Sequence, residues 1–278
     1  MTATNHHTDG FRFEGSLTVI GGGRMGEAII GGLVSAGVIQ PVSITVAEPS
    51  ASRRRQLESD FGVSCVPDGA DALPADLVIL AVKPQVIDNV VGELSADLGS
   101  SLVISIAAGV TAARLETLLP AGTAVVRVMP NTPALVGEGM SVVSGGSDAT
   151  AEQTDLVRAL FATFGQAIVL EERYQNAATA VSGSGPAYFA LVIDALARAG
   201  VRHGLPRDVA QTLAVQAMRG TAELIERAGM NPSELIDGVS SPGGTTIVAI
   251  EVLEAHAVRA AFADAVSANI ERAEELGS

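Results

Sequence analysis

Seven short runs rich in Val, Ile and Leu alternate with helical stretches through the first part of the chain, and this alternation limits the possible folds. The runs lie at 17–21, 42–48, 76–82, 101–109, 124–130, 140–146 and 166–172. The run DLVILAV at 76–82 is almost wholly apolar, as expected for a strand that helices cover on both faces. Strands that alternate with helices predict an α/β fold with a doubly wound, largely parallel sheet.

After residue 173 the periodicity is helical alone. Apolar residues recur at helical spacing over 188–201, 207–229, 232–239, 244–254 and 256–276, and no strand is predicted there. We therefore predict three parts: a disordered leader at 1–15, an α/β domain at 16–173 and an all-helical domain at 174–278.

The predicted helical domain carries more apolar surface than a bundle of this size can bury. Its helices are long and rich in Ala, Leu and Val. We therefore predict that it packs against a second copy of the chain. The alternative is that it packs against the α/β domain alone.

Charge and hydropathy exclude several classes of partner. The formal net charge of −14 argues against nucleic acid or an anionic membrane as the partner. No continuous apolar run approaches the roughly 20 residues that span a bilayer, so no membrane association is expected.

Cysteine and histidine usage bounds the chemistry. Cys65 is the only cysteine, which rules out an intramolecular disulfide and favours a reducing compartment, the cytoplasm. Of the four histidines, His6 and His7 lie in the predicted leader, while His203 and His256 stand alone. We therefore predict no metal site.

The stretch VIGGGRMGEAIIGGL places a G-x-G-x-x-G pattern between a predicted strand and a predicted helix. Gly21 permits the tight turn, Gly23 leaves room for a pyrophosphate, and Gly26 lets helix and strand approach closely. The helix N-terminus offers free N–H groups to the phosphates. This context predicts a Rossmann-type dinucleotide site, with a purely structural glycine turn as the alternative. The residues of the turn predicted to contact the cofactor are Gly21, Gly22, Gly23, Arg24, Met25 and Gly26.

The choice between NADH and NADPH stays open. Glu48 ends the second predicted strand, where an acidic residue binds a ribose 2′-hydroxyl and favours NAD. The nearby arginines of SRRR, among them Arg53, suit a 2′-phosphate and favour NADP. Alternatively, these arginines form a solvated helix face.

Three further strand ends are predicted at the same edge of the sheet, where ligands of such folds bind. They are AVKP, IAAG and MPNTP, and the last two should line the nicotinamide half of the pocket, although Pro133 equally suits a simple turn. The residues concerned are Ala81, Val82, Lys83, Pro84, Ile106, Ala107, Ala108 and Asn131.

Together with two later motifs, these segments resemble the pyrroline-5-carboxylate reductases from about residue 17 to 275. The later motifs are AVSGSGPAY and VSSPGGTTIVAIEVLE, in the order and spacing of that family. The resemblance implies NAD(P)H-dependent reduction of 1-pyrroline-5-carboxylate to L-proline, the last step of proline biosynthesis. It also implies a helical domain that interlocks in dimers, five of which often form a decamer.

The resemblance implies that the substrate, a cyclic imino acid, lies between the nicotinamide and the SSPGGTT stretch. A glycine-rich helix start offers bare N–H groups and a positive dipole end to the substrate carboxylate. The alternative is a helix cap and flexible turn without a ligand. The residues of this predicted cradle are Ser241, Gly243, Gly244, Thr245 and Thr246.

Two further roles follow from the resemblance alone. The Thr246 hydroxyl would contact the ring nitrogen as the catalytic hydrogen-bond partner, and Glu172 would lie near the ring and orient it. Alternatively, Glu172 is an ordinary exposed carboxylate at a strand end. Asp68 stands near the adenine ribose where many members have Asn, and Gly238 replaces a frequent Asn at the edge of the ligand.

The predicted reaction needs little acid–base machinery, because a protonated imine is already electrophilic. β-Hydroxyacid dehydrogenases combine similar domains but use a lysine of the second domain as acid, and this chain has no lysine after Lys83. Two alternatives stay open: a reductase of a related cyclic imino acid, and a non-catalytic NAD(P)-binding oligomeric scaffold.

Overall fold

Eight strands within residues 11–277, the part of the chain that the computed structural model describes, form one sheet. They are β1 (Leu17–Ile20), β2 (Ile44–Ala47), β3 (Ser64–Val66), β4 (Leu77–Leu80), β5 (Leu102–Ser105), β6 (Val125–Met129), β7 (Gly139–Gly145) and β8 (Gly165–Val169). Their order is β3-β2-β1-β4-β5-β6-β7-β8, and every neighbouring pair is parallel except β6 with β7. The predicted α/β, doubly wound, largely parallel sheet is confirmed.

Helices follow most of the strands and form the C-terminal part of the described chain. They are α1 (Arg24–Ser35), α2 (Ala51–Phe61), α3 (Ile87–Leu94), α4 (Ala112–Leu118), α5 (Ala151–Phe161), α6 (Gln175–Ala178), α7 (Gly185–Arg202), α8 (Arg207–Ala228), α9 (Pro232–Val239), α10 (Thr245–Ala255) and α11 (Val258–Gly277). No strand follows β8 within the described residues, so the C-terminal region is helical as predicted.

The strand directions follow from the lengths of the connections. Strand order reverses between β1 and β4, which opens a crevice at their carboxyl ends. β6 and β7 are joined by only residues 130–138, which contain a short 3₁₀ segment, Thr132–Val136. Because a parallel crossover needs a dozen or more residues, β7 runs antiparallel to β6.

Apolar residues cover both faces of the sheet, which explains the nearly continuous apolar runs. Along β4, Ile79 faces the core on the side of α1, whereas Val78 faces the core that includes Ile87 and Val91 of α3. Burying a Val, Leu or Ile side chain contributes about 1.5–3 kcal/mol. The two cores together therefore fix the strand ends that carry the candidate site.

The predicted leader, 1–15, falls partly within the described residues. Phe13 N donates to Val38 O at 2.8 Å, and Phe11 and Phe13 pack against the core. The folded part of the chain thus includes residues before the predicted boundary at 16. Residues 1–10, with His6 and His7, lie outside the described residues.

The described residues divide into two compact units, 185–268 and 11–184 with 269–277. In the first of these, α7 packs against α8, and Ala197, Ala210 and Ala214 are buried between neighbouring helices. Many large apolar side chains of this unit are exposed in the single chain. They include Phe189, Leu191, Leu196, Leu213, Val248, Val252 and Leu253.

One helical stretch, Glu172–Arg202, is long and apolar enough to cross a membrane by length and composition alone, with a mean hydropathy of 1.3. This differs from the expectation that no stretch approaches that length. The expectation considered unbroken apolar runs, whereas the mean tolerates the Ser, Gly and Pro residues of VSGSGPAY. Only 17% of an 18-residue apolar part of this stretch is buried in the single chain.

Candidate functional site

The turn between β1 and α1 contains Gly21 and Gly23, and Gly26 lies in the first turn of α1. The space around each of these glycines is different. Gly21 has φ +107°, and a Cβ there would lie 2.8 Å from Ala81 O of the neighbouring strand end. A Cβ on Gly26 would overlap the Gly21 carbonyl oxygen, so the helix and the turn touch at this point. A Cβ on Gly23 would meet nothing within 4 Å, and this glycine is exposed. The turn is therefore closed at its base and open at Gly23, beside exposed Arg24.

Two helices, α1 and α10, begin after a glycine N-cap that provides no side-chain hydrogen bond. These caps are Gly23 and Gly244, both with extended backbone. By contrast, Ser50 caps α2 and Thr111 caps α4 through their hydroxyls. An N-terminus without a side-chain cap leaves backbone N–H groups available to an anion. The two glycine-capped helices are those predicted to hold the cofactor phosphates and the substrate carboxylate.

The Gly22 peptide is held from both sides. Its N–H donates to Glu48 Oε2 at 3.1 Å, and its carbonyl oxygen accepts from Arg53 Nε at 2.7 Å. Arg53 also donates to Glu27 Oε2 at 2.7 Å and to Gln56 Oε1 at 2.8 Å. All three guanidinium nitrogens of Arg53 are thus engaged within the protein. The sequence analysis considered these arginines as ligands of a 2′-phosphate or as a solvated helix face. It did not predict that Arg53 would hold the glycine turn.

Glu48 has a second partner beside the glycine turn. Its Oε1 accepts from Ser50 N at 2.9 Å, so both carboxylate oxygens hold backbone N–H groups at the carboxyl ends of β1 and β2. Arg54 donates to the carbonyl oxygens of Glu48 and Pro49, each at 2.8 Å. This network fixes the strand end where the adenosine ribose of a dinucleotide binds in such folds.

A cavity of about 380 Å³ adjoins this strand end. Asp68 lines it, as do Gly21 and Val82, so three predicted cofactor residues share one pocket. The remaining lining includes Ala47, Pro49, Pro67, Val90 and Leu94. Its position at the switch in strand order suits a flat apolar group such as adenine.

The other predicted strand-end residues follow β4 and β5. Ala81 N donates to Ile20 O at 2.8 Å, Val82 is half-buried and Lys83 is exposed before Pro84. After β5, Ile106 N donates to Leu80 O at 3.2 Å. Ala107 is buried and Ala108 is half-buried. The ends of β1, β4 and β5 are therefore adjacent, as the sheet order requires.

Asn131 serves as an internal tie. It is only 7% exposed, its Nδ2 donates to Ser182 O at 3.0 Å, and its Oδ1 accepts from Met140 N at 2.8 Å. Both polar ends are thus engaged, linking β7 to the π-helical segment Thr179–Gly183. That segment overlaps the start of the VSGSGPAY motif, and π-helical turns are frequent at functional sites.

Glu172 follows β8 and holds two groups through one oxygen. Its Oε1 accepts from Ala112 N at 2.7 Å, at the first residue of α4, and from Arg127 Nη1 at 3.2 Å. Arg127 is 3% exposed, and it was missed by the sequence reasoning. Arg127 could have been found from the sequence, because it is the one charged residue in the apolar strand run AVVRVMP.

The predicted substrate cradle lies in the unit 185–268. Gly243 has φ +66°, and Gly244 N donates to Ser241 O at 2.9 Å to close a turn before α10. A Cβ on Gly244 would overlap Ser241 Oγ and lie 3.0 Å from Ser241 O, so any side chain here would force Ser241 to move. Thr245 is exposed and Thr246 half-buried in the first turn of the helix. The five predicted cradle residues are thus brought together.

Among the described residues, Cys65, His203 and His256 belong to no cluster of metal-binding side chains. Burial, followed by the Glu58 carboxylate, raises the pKa of the Cys65 thiol to about 11, which keeps it protonated near neutral pH. Within residues 11–277, no group of three or more His, Cys, Asp or Glu side chains is arranged to hold a metal ion.

Comparisons with family models match both parts of the chain. A model for pyrroline-5-carboxylate reductase dimerisation matches residues 172–276, and a model for coenzyme F420-dependent NADP oxidoreductases matches residues 16–109. The first covers the helical region with its exposed apolar side chains. The second covers the glycine turn and the ends of β1, β2, β4 and β5.

Related proteins align along nearly the whole chain. Pyrroline-5-carboxylate reductases of Synechocystis and Corynebacterium melassecola are 44% and 45% identical, each over 94% of this chain and 98% of the relative. A crystal structure of the Plasmodium falciparum pyrroline carboxylate reductase with NADP bound has a TM-score of 0.88 at 30% identity. That match covers 97% of this chain and 100% of the other. With both motif-bearing regions and almost the full length matched, the chain belongs to the pyrroline-5-carboxylate reductase family.

Proposed function

We propose that this chain performs the reaction of its family through two glycine-capped helix starts, one for the dinucleotide and one for the substrate. The chain is an NAD(P)H-dependent oxidoreductase that reduces 1-pyrroline-5-carboxylate to L-proline. The observation that carries the proposal is the start of α10, where Gly243 and Gly244 precede a helix without a side-chain cap.

The dinucleotide would lie along the carboxyl ends of β1, β2, β4 and β5. The open Gly23 position would admit the pyrophosphate beside the N-terminus of α1. The cavity lined by Asp68 would take the adenosine half. We propose that the cofactor contacts come from Gly21, Gly22, Gly23, Arg24, Met25, Gly26, Glu48, Asp68, Ala81, Val82, Lys83, Pro84, Ile106, Ala107 and Ala108. Arg53 and Asn131, also predicted at this site, would support it through the protein groups that they hold.

The N-terminus of α10 would bind the substrate carboxylate. The first N–H groups of a helix have no intrahelical acceptor, and the helix dipole adds a positive end. Gly243 and Gly244 keep side chains away from that end, while Ser241 adds a hydroxyl. The net charge of −14 would repel an anion at long range, so this local cradle supplies the attraction.

Hydride transfer would then depend on alignment more than on proton transfer. A protonated imine carries the positive charge that makes its carbon electrophilic, so no general acid is required before the hydride arrives. We assign Thr246 as the hydrogen-bond partner of the ring nitrogen, and Glu172 as a residue that orients the ring region. The absence of any lysine after Lys83 argues against a carbonyl-reducing mechanism that uses a lysine acid.

The chain forms homo-oligomers through its dimerisation region, and we propose that dimers assemble further into a decamer. Exposed apolar side chains such as Leu191, 70% exposed, and Leu213, 56% exposed, support burial against a second copy. We propose that the stretch Glu172–Arg202 faces that copy and not a bilayer. We also propose a cytoplasmic location, an NAD(P)-binding domain at 16–173 and a substrate-binding and dimerisation domain at 174–278.

The test is a kinetic comparison with two cofactors and two substrates. NADPH and NADH are each mixed with 1-pyrroline-5-carboxylate or its six-membered homologue, and loss of nicotinamide absorbance is followed. The proposal expects the highest kcat/KM with the five-membered ring. A higher value for the six-membered ring would favour the related reductase, and dinucleotide binding without turnover of either ring would favour the non-catalytic scaffold.

A further inference from the structure

A row of polar residues crosses the sheet near the carboxyl end of β5. Ser105 of β5, Arg127 of β6 and Ser144 of β7 are neighbours in the strand register. They are 0%, 3% and 1% exposed, although most of the buried side chains of this sheet are apolar. A buried polar row in such a sheet needs a reason, because burying polar groups is unfavourable unless they are paired.

Arg127 is the charged member of this row. Its strand neighbours Val126 and Val128 belong to the apolar core. Its ion-pair partner is Glu172, with 3.2 Å between Nη1 and Oε1. The side chain of Glu172 is 28% exposed, so the pair joins a buried cation to a carboxylate at the protein surface. Loss of this carboxylate would leave a buried guanidinium without its counter-charge.

Ser105 of this row and Glu172, the partner of Arg127, hold the two ends of the segment 106–111. At the start of the segment, Ser105 Oγ accepts from Ala107 N at 3.3 Å. At its end, Glu172 Oε1 accepts from Ala112 N at 2.7 Å. Ala112 is the first residue of α4, so Glu172 binds a free N–H at the start of this helix, beside the Thr111 cap. The segment, IAAGVT, follows β5 at the edge of the sheet where dinucleotides bind.

We infer that Arg127 and Glu172 are a positioning pair for the segment 106–111, and that Glu172 acts on the reaction through this segment. This inference rests on the proposed function, in which the segment lines the nicotinamide half of the cofactor site. The ion pair with Arg127 holds the Glu172 carboxylate in position to accept from Ala112 N. That hydrogen bond holds the segment against the bound nicotinamide. Direct contact of Glu172 with the substrate is the competing role.

The two roles differ in which ligand loses affinity. Replacing Glu172 by Gln preserves the shape but removes the counter-charge of Arg127. If the pair positions the segment, the Kd of NADH rises on the order of tenfold, because a small misplacement of a binding group is costly. The Kd of ADP-ribose, which lacks the nicotinamide, stays unchanged. If Glu172 instead contacts the substrate, both Kd values stay unchanged and the KM for the cyclic imine substrate rises.

A second substitution tests whether Arg127 is the cause. The double variant Glu172→Gln with Arg127→Met removes the buried charge that Glu172→Gln leaves unpaired. A positioning pair predicts that the double variant regains part of the NADH affinity. A substrate-contacting Glu172 predicts no recovery. Glu171→Gln is the matched control, because Glu171 is adjacent but 69% exposed, and its carboxylate pairs with the exposed Arg173.

If Glu172→Gln does not fold, Ala112→Pro tests whether the hydrogen bond from Ala112 N to Glu172 positions the segment 106–111. Proline suits the first position of a helix, and Thr111 before it already has extended backbone. This substitution removes the Ala112 N–H and leaves the carboxylate in place. The inference expects the same loss of NADH affinity with unchanged ADP-ribose binding. Unchanged affinity for both ligands would overturn it.

Binding measurements also separate this inference from the proposed function. Both ligands are titrated against the full chain by calorimetry, which requires no turnover. If the wild-type chain binds NADH but reduces neither cyclic imine, the proposed reaction fails while the difference between NADH and ADP-ribose still tests the pair. If the reaction proceeds and the difference is missing, only the positioning role is overturned.

Discussion

The Nε atom of Arg53 donates a hydrogen bond to the carbonyl oxygen of Gly22 at 2.7 Å, across the gap between α2 and the glycine turn. The same guanidinium reaches Glu27 of α1 at 2.7 Å, with the two side chains 20% and 25% exposed. Arg53 thereby joins the turn to the first helix. Its place in the sequence suggested a residue that binds the 2′-phosphate of NADP. In the structure, however, its guanidinium N–H groups donate to the glycine turn and to neighbouring side chains.

The effect of replacing Arg53 separates these two roles. In Arg53→Met, the Gly22 carbonyl and the Glu27 carboxylate lose their partner, and the turn loosens where the pyrophosphate common to both cofactors is proposed to bind. We expect the KM values of NADH and NADPH to rise together, by roughly fivefold for about 1 kcal/mol of lost hydrogen bonding. Steady-state kinetics with each cofactor measures this.

An exposed neighbour provides the control for Arg53. Arg55 lies two residues further along α2 and is exposed, so Arg55→Met should leave the KM of NADH unchanged. If Arg53→Met raises the KM of NADPH alone, Arg53 is a 2′-phosphate ligand and its role in holding the turn is wrong.

Gly26→Ala should destabilise the chain. The added methyl group would overlap the Gly21 carbonyl oxygen, and backbone cannot move aside as a flexible side chain can. We expect a loss of about 1–3 kcal/mol in the free energy of unfolding, together with loss of dinucleotide binding. Denaturant titration followed by circular dichroism measures the stability.

A second helical glycine is the matched control for Gly26. Gly92 lies within α3, and a Cβ there would meet nothing within 4 Å. Gly92→Ala should therefore stabilise the chain by about 0.5–1 kcal/mol, since alanine favours a helix. Equal effects of the two substitutions would contradict the close contact between helix and turn.

The sequence predicted most of the sheet because the parallel strands are covered on both faces. Runs such as DLVILAV are apolar throughout and thus mark β4 directly. β3 was not predicted, since its three residues, SCV, give no periodicity and pair only with β2 at the edge. The direction of β7 depended on the length of the connection 130–138, which hydropathy does not report.

Residues of the candidate site were predictable from sequence where the local backbone geometry determines the residue type. The glycines of the first turn and the start of α10 are such residues. The contacts of Glu172 could not be predicted in this way, because its partners Ala112 and Arg127 lie 60 and 45 residues away along the chain. Asn131 likewise ties Met140 to Ser182, a pairing that only the folded chain brings together.

A charge placed on the exposed apolar surface of α7 should disrupt self-association. Leu191 is 70% exposed in the single chain, so Leu191→Glu costs little within it but would bury an unpaired carboxylate in an interface. We expect a lower molar mass by size-exclusion chromatography with light scattering. Val42→Glu is the control, because Val42 is 84% exposed and lies outside the dimerisation match. An unchanged mass for Leu191→Glu would show that α7 is not part of the interface.

Thr246→Ala should slow the reaction without weakening dinucleotide binding. Thr246 lies in the first turn of α10, after the bare glycine start, and its hydroxyl is proposed to bond the ring nitrogen. A hydrogen bond to a charged group contributes about 1.5–3 kcal/mol, so kcat should fall roughly tenfold or more. Thr246→Ser keeps the hydroxyl and should retain most of the activity, whereas Thr245→Ala, at an exposed neighbour whose backbone N–H is unchanged, should have a smaller effect. Single-turnover reduction and NADH titration measure the two quantities separately. If Thr246→Ala and Thr246→Ser lose activity equally, the hydroxyl is not the group that the reaction uses, and the backbone N–H groups of the cradle must orient the imine by themselves.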